Sequence, residues 1–465
     1  MASHPIDFQI NGDVFSTPEL RHIFDEKSVI QRWLDFESAL AAVQSRYGLI
    51  PHDASQVIRD KARVEYLDMD AVRAGYEQSR NSVIPVLSEL RKVCGSAGQY
   101  VHYGATTQDV LDTGMVLGVR EAMNIIFQSV RDAESVCIDM ARRYAATPMV
   151  GRTHGQQALP ITFGLKVAVW ASELRRNIER IKQAYSSIGY GQLGGAVGTM
   201  AALGPKAFDI AEDTLARLGL KHVPCSWHTA RDSVAEVASV LSILCMTLSK
   251  VANEIFHLQK TEIGELCEPP PSGASSSTMP HKQNPVICQR VVAVSMHVRA
   301  LAATIAEGMG HVHERDPRRL WAEWLAMPQI CIYTGAAAAY MEDVLSGLRV
   351  NVHRMYKNLT MNSHVVVSEW LMFRLAESMG RVKAQAKVRE LVAAAQEQGV
   401  ALVQILLQDQ ETAGLLSPQD LEPLERPELY TGHAEEIVRR TVQEIEDVRN
   451  SEGSKLSDGN MAESS

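Results

Sequence analysis

Three observations predict an all-α chain, with a long central helical bundle flanked by two smaller helical domains. Apolar residues recur at alternating spacings of three and four over long stretches, no glycine or proline interrupts the longest of them, and the alternating β-branched and aromatic runs that mark strands are scarce. A sequence of 465 residues with 46% hydrophobic content exceeds one ordinary compact domain and has ample material for large cores. The expected division is an N-terminal helical domain over 1–110, the bundle over 111–365, a C-terminal helical domain over 366–450, and a polar, disordered tail over 451–465.

Along the chain, His102-Tyr-Gly-Ala-Thr-Thr-Gln-Asp-Val-Leu-Asp112 precedes the first long helix. Thr106, Thr107 and Gln108, together with the unpaired N–H groups of a helix start, suit a carboxylate cradle, because free amides and the helix dipole both favour an anion. Simple capping by Thr107 or Asp109 explains the same residues, and one site can combine both roles. Gly151-Arg-Thr-His-Gly-Gln-Gln-Ala-Leu-Pro-Ile-Thr-Phe-Gly164 precedes the second, expected after Pro160 from the series Phe163, Val167, Trp170, Leu174, Ile178, Ile181 and Tyr185. Arg152-Thr153-His154 reads as a loop in which a histidine able to titrate near neutral pH is flanked by a cation and a hydroxyl. The third series, Val234, Val237, Leu241, Leu244, Leu248, Val251, Ile255 and Leu258, is the seam of a helix packed in a bundle. A further helix is expected from about Val286 toward Ile305, with Pro285 suited to its first turn.

The bulk properties exclude several function classes. A net charge of −9 and a pI near 5.9, without any Lys/Arg run, argue against a nucleic-acid binder. An acidic protein acting on acidic substrates must concentrate its positive groups in one site. The seven cysteines are odd in number and scattered, which fits a reducing, cytoplasmic setting. No apolar run reaches about 18 residues without a charge, and the N-terminus lacks a basic region followed by an apolar core, so neither a membrane nor secretion is expected. His311, His313, Glu314 and Arg315 offer poor metal geometry, and no cofactor is expected; Arg315 is taken as a substrate-facing or interface cation.

The most informative stretch is Glu268-Pro-Pro-Pro-Ser-Gly-Ala-Ser-Ser-Ser-Thr-Met-Pro-His-Lys-Gln-Asn-Pro-Val286. It joins a loop rich in Ser and Pro to a Met-Pro-x-Lys-x-Asn-Pro segment, setting hydroxyls beside a fixed cation and amide, a combination suited to proton abstraction next to a substrate carboxylate. A plain Pro/Ser linker explains Pro269 to Ser272 but not Met279, Lys282 and Asn284 at these intervals. The stretch resembles the signature of the fumarase/aspartase superfamily. With the 102–112 and 151–164 segments it matches the superfamily's three short homology regions in order, and the resemblance runs from about Ser16 to about Arg440.

That resemblance implies a homotetramer whose active sites are assembled from three chains, acting on a small dicarboxylate or polycarboxylate. It implies Ser276 as the base, with Ser275 and Ser277 as alternatives because Ser275 stands where the family commonly has glycine. Lys282 and Asn284 would hold the carboxylate whose charge builds in the transition state, His154 would donate a proton to the leaving group, and His102 would position it or bind a carboxylate. Arg152 and Thr153 stand beside them as binding candidates.

Subfamily signals conflict. Ser16-Thr-Pro-Glu-Leu-Arg21, Trp227-His-Thr-Ala-Arg-Asp232 and Trp321-Ala-Glu-Trp-Leu-Ala-Met-Pro328 look like 3-carboxy-cis,cis-muconate cycloisomerase, whereas Gly151-Arg-Thr-His-Gly155 resembles adenylosuccinate lyase. Asn81 departs from the purine lyases, which carry histidine there. The resulting expectation is lyase or epimerase chemistry on an N-substituted aspartate of the iminodisuccinate type, with cycloisomerisation as the alternative and adenylosuccinate cleavage third.

Overall fold

The computed structural model describes residues 4–270, 279, 281–453 and 456. The chain is all-α in architecture. Five long helices form the centre: Thr107–Arg143, Phe163–Ser187, Asp232–Leu258, Val286–Gly308 and Pro317–Ser346. All eight seam residues of the 232–258 helix are buried, as are Phe163, Val167, Trp170, Leu174, Ile178 and Ile181 of the second helix. The 3–4 periodicity places these side chains on one face, and the neighbouring helices close over that face to make one continuous core.

Two of these helices, Asp232–Leu258 and Val286–Gly308, are long and apolar enough to cross a membrane by length and composition alone. In the first, 67% of the most apolar window is buried inside the fold; in the second the share is 28%, so much of that helix lies outside the single chain's core.

A second core gathers the helices of residues 26–93. It also takes in Leu193, Met200, Leu203 and Ile210, so the 193–210 segment folds back onto the N-terminal region. Tyr47 donates to Asp213 at 2.6 Å across this contact. A third core runs from Leu359 to Leu424 and receives Val150. The Ala434–Asn450 helix, grouped by sequence with the C-terminal domain, inserts Val438, Val442 and Ile445 into the central core.

Two features depart from the sequence reading. The segment read as a loop around His154 is a β-hairpin, Pro148–Thr153 paired antiparallel with Gln156–Thr162. His154 and Gly155 form its two-residue turn with φ of 51° and 75°, the double positive φ that matches the twist of paired strands. Its polar, Gly- and Pro-bearing strands carry little β-branched patterning, which hid them. The tail expected to be disordered from Ser451 begins as packed structure: Glu452 is ion-paired with Arg131, Arg175 and Lys182, and Leu456 is buried in the central core. Composition gave the tail its polar character; buried arginines on the bundle anchor its first residues.

Candidate active site

The 107–143 helix is capped by Thr106 and, as the sequence suggested, by Asp109, which closes a capping box from the third helical position; Thr107 is the first residue of the helix and not its cap. Asp109 is the third residue of that helix, and its carboxylate accepts the Thr106 N–H at 3.0 Å. It also accepts the N–H groups of Gly194 and Gly195, both at 3.0 Å, and lies 2.8 Å from His228 Nε2. Four nitrogens therefore converge on one fully buried carboxylate, which ties the helix start to the 193–195 segment. At Gly195 (φ 70°) a Cβ would come within 3.3 Å of the Gly104 carbonyl, so the two backbones approach closely there.

Arg315 reaches this helix start from the loop before the 317–346 helix. Its Nη1 donates to the Thr106 hydroxyl at 3.1 Å and its Nη2 to the Ala196 carbonyl at 2.9 Å. A helix N-terminus, two half-buried threonines and a guanidinium thus share one place, and each term favours an anion.

Gln108 faces the other way. Its Nε2 donates to Asp112 and to the His228 carbonyl, so it belongs to a buried network beneath the helix start and not to the cradle. Arg231 forms the centre of that network, paired with both oxygens of Asp112 and with Glu323. Gln192 bridges Asp112 to Ser226 and to the Trp227 N–H, and Ser226 lies 2.8 Å from His228 Nδ1. Trp227 itself donates to the Gly191 carbonyl and stacks against Arg231, whose centre lies 4.8 Å from the ring. Burial disfavours the charge on Glu323 and outweighs its partner Arg231, which raises its carboxyl above the usual range. Sequence reasoning did not find Asp109, Asp112, His228, Arg231 and Glu323 as one unit; for Asp109, Asp112 and Glu323 the available signal was charge at helical positions that phasing buries, while His228 and Arg231 stand before a helix and gave no such signal.

The hairpin places its residues separately. Arg152 forks both Nη groups onto Glu265, which is fully buried and also accepts from Asn358. Thr153 and His154 are exposed at the tip. His102 has a positive φ of 65° and its Nδ1 lies 2.7 Å from Glu37. Burial works against protonation of His102, but the Glu37 carboxylate overcomes it, so the imidazole is held above its ordinary range. Lys282 and Asn284 stand just before the 286–308 helix, in whose first turn the N–H groups of Ile287 and Cys288 are capped by the Glu268 carboxylate. Ser275, Ser276 and Ser277 lie outside the described residues. Within one chain the structure brings together Thr106 and Arg315, while Arg152, His102 and Gln108 are engaged with other protein groups.

A cavity of about 800 Å3 lies elsewhere, between the N-terminal helices and the 317–346 helix. Trp33 and Trp324 stack at its wall 6.1 Å apart, and Met69, Leu111 and Met327 make it apolar. Its lining suits carbon surface better than carboxylates. Among the described residues no group of three or more His, Cys, Asp or Glu is placed to hold a metal ion.

Residues 14–300 match the family described as Lyase, and residues 364–441 match the adenylosuccinate lyase C-terminus. The chain belongs to the fumarase/aspartase superfamily. Within it the chain falls in the branch of adenylosuccinate lyase and carboxymuconate cycloisomerase. It is 37% identical to N-acetyl-S-(2-succino)cysteine lyase of Dickeya dadantii, over 95% of this chain and 98% of that one. It is 34% identical to adenylosuccinate lyase of Methanocaldococcus jannaschii, over 96% of each chain. Its backbone is similar to the crystal structure of the 3-carboxy-cis,cis-muconate lactonizing enzyme from Pseudomonas putida, with a TM-score of 0.89 and 34% identity, over 95% of this chain and all of that one. Superfamily relatives of both kinds are enzymes of lyase or isomerase type, and so is this protein.

Proposed function

We propose that the protein eliminates a heteroatom-linked group from a 2-substituted succinate to release fumarate, with N-linked compounds of the iminodisuccinate type as its leading substrates. The observation that carries this reading is the Arg315 guanidinium on the Thr106 hydroxyl at a helix N-terminus, an arrangement that recognises a carboxylate. Removing a proton from the carbon beside a carboxylate builds a second negative charge on that group, so fixed cations and donors around it lower the barrier. In this reading Ser276 takes the proton, Lys282 and Asn284 hold the developing charge, and His154 protonates the departing nitrogen or sulfur. The S-linked substrate named for the Dickeya relative and the N-linked one named for adenylosuccinate lyase share the succinyl half that such a site would hold.

Cycloisomerisation is the second reading, favoured by the backbone likeness to the Pseudomonas enzyme. The motifs that pointed to it carry less weight, because Trp227, Arg231 and Glu323 serve the buried network. Their likeness reports scaffold.

The site is read as composite and completed by other copies in a cytoplasmic homotetramer. The exposed apolar residues Met296, Trp321 and Leu325 support assembly. The test is a panel of iminodisuccinate, N-acetyl-S-(2-succino)cysteine, adenylosuccinate and 3-carboxymuconate, followed for fumarate near ~240 nm and by chiral NMR for epimerisation. Fumarate from the first two supports the proposal; lactone from the last, without fumarate from the others, overturns it.

A further inference from the structure

We infer that Asp109 is the positioning residue of the carboxylate site: it sets the aim of the Arg315 guanidinium without touching the substrate. The inference rests on the proposed function, since it names what orients the cation of the same site.

Arg315 donates to two protein acceptors, the Thr106 hydroxyl and the Ala196 carbonyl, which belong to separate segments of the chain. Both segments are held by one carboxylate. Asp109 Oδ2 accepts the N–H of Thr106 and the N–H of Gly195, each at 3.0 Å, and Oδ1 accepts the N–H of Gly194 at 3.0 Å. The contacts close a ring that runs from Arg315 to Thr106, through Oδ2 to Gly195, and back through the Ala196 carbonyl.

A helix cap requires only the Thr106 N–H. The two glycine N–H groups, 85 and 86 positions further on, serve the second segment. That segment is closed on itself by the Met200 N–H, which donates to the Gly194 carbonyl at 2.9 Å, and it turns through positive φ at Gly195, Gly198 and Met200. Fixing its base at 194 and 195 therefore fixes the next carbonyl, that of Ala196. Arg315 gains little support from its own loop, where Val312, His313 and Glu314 are exposed. An arginine has much rotamer freedom to lose when it engages a ligand, and one already seated on two acceptors has lost it before the substrate arrives. Asp109 is fully buried, so the frame that seats it is shielded from water.

The experiment is a double-mutant cycle on succinate affinity, measured by calorimetry on the intact protein, for wild type, R315Q, D109N and R315Q/D109N. D109N alone is expected to weaken succinate binding by about ten- to thirtyfold, while the double variant binds no more weakly than R315Q, because the cation that Asp109 aims is already gone. Losses that multiply, or unchanged affinity in D109N, overturn the role. G195A reads the same link from its other end should D109N not fold: it leaves the carboxylate in place but strains the φ of 70° and crowds the Gly104 carbonyl, which displaces Ala196. It too must weaken succinate binding and add nothing to R315Q; an additive loss overturns the role. H228L removes a neighbour of Oδ1 only, outside the ring, and measures what lost stability alone does to affinity. A loss in H228L equal to that in D109N overturns positioning in favour of general support of the fold. Wild type that does not bind succinate, or R315Q that binds it as well as wild type, overturns the proposed function itself, an outcome distinct from a weakened R315Q without coupling to Asp109.

Discussion

Arg315 and Thr106 stand 209 positions apart in sequence, yet the guanidinium donates to the hydroxyl at 3.1 Å, closing the 309–316 loop onto the start of the 107–143 helix. The contact is bridging as well as cationic, since the second Nη of Arg315 holds the Ala196 carbonyl. Arg315→Gln keeps part of this bonding and removes the charge. It is expected to raise KM for a dicarboxylate substrate by about tenfold to a hundredfold, with thermal stability within about 1 kcal/mol of wild type. Steady-state kinetics beside a melting curve separates the two effects, and an unchanged KM would remove Arg315 from the site.

Ser276→Ala is expected to abolish proton abstraction while leaving substrate binding nearly intact, because a base acts in the transition state and adds little to ground-state affinity. Solvent deuterium incorporation at the substrate carbon should disappear together with turnover. Exchange that persists transfers the role to Ser275 or Ser277.

Asp109 gathers the N–H groups of Thr106, Gly194 and Gly195 and the His228 ring. In Asp109→Asn one acceptor oxygen becomes an NH2 that must face a donor. The expected loss is about 3 kcal/mol or more of stability, measured by chemical denaturation, because a buried charge partner is removed and N–H groups are left unpaired. A variant as stable as wild type would mean that the 193–195 segment holds its position without this carboxylate.

The sequence made two of the long helices legible by periodicity alone: Val234 through Leu258, like Phe163 through Ile181, bury the face that the spacing names, whereas the Pro317–Ser346 helix was not read. The helix after Pro285 and the one after Pro160 were equally readable from their start signals. The hairpin at 148–162 was not, since its turn is set by positive φ at His154 and Gly155 and its strands by pairing with each other. The site was legible only as separate segments. That Thr106 meets Arg315, that Gln108 turns into the core and that Arg152 is consumed by Glu265 are facts of long-range packing, which local residue types do not encode.

Glu452 gives a pH-dependent test of the anchored tail. Burial opposes its ionisation, but hydrogen bonds from Arg175 and Lys182 more than offset this and hold its carboxyl at about 2. A depressed carboxyl stabilises the fold above its unfolded pKa, near 4.5, and the contribution is lost as pH falls toward the folded value. Glu452→Gln is therefore expected to cost roughly 3 kcal/mol at pH 7, with the gap to wild type shrinking between about pH 4.5 and 2. Denaturation of both proteins across that range checks it. A gap independent of pH would show that packing, and not charge, fixes the tail.

His154 decides between proton-assisted elimination and cycloisomerisation, and its backbone dictates how to test it. At φ 51° in a hairpin turn, most side chains are strained, but asparagine adopts this region readily. His154→Asn therefore removes the acid while keeping the turn, whereas His154→Trp would confound chemistry with strain. If His154 protonates an amine leaving group, His154→Asn should lower turnover by the ~10²–10⁴-fold typical of a lost general acid. A substrate whose leaving group departs without a proton should be spared, so the ratio of the two rates reports the role free of any folding defect. Equal losses on both substrates would assign His154 to binding or structure. Full retention of the aspartate-type reaction would leave the lyase reading without its acid and make cycloisomerisation the better account.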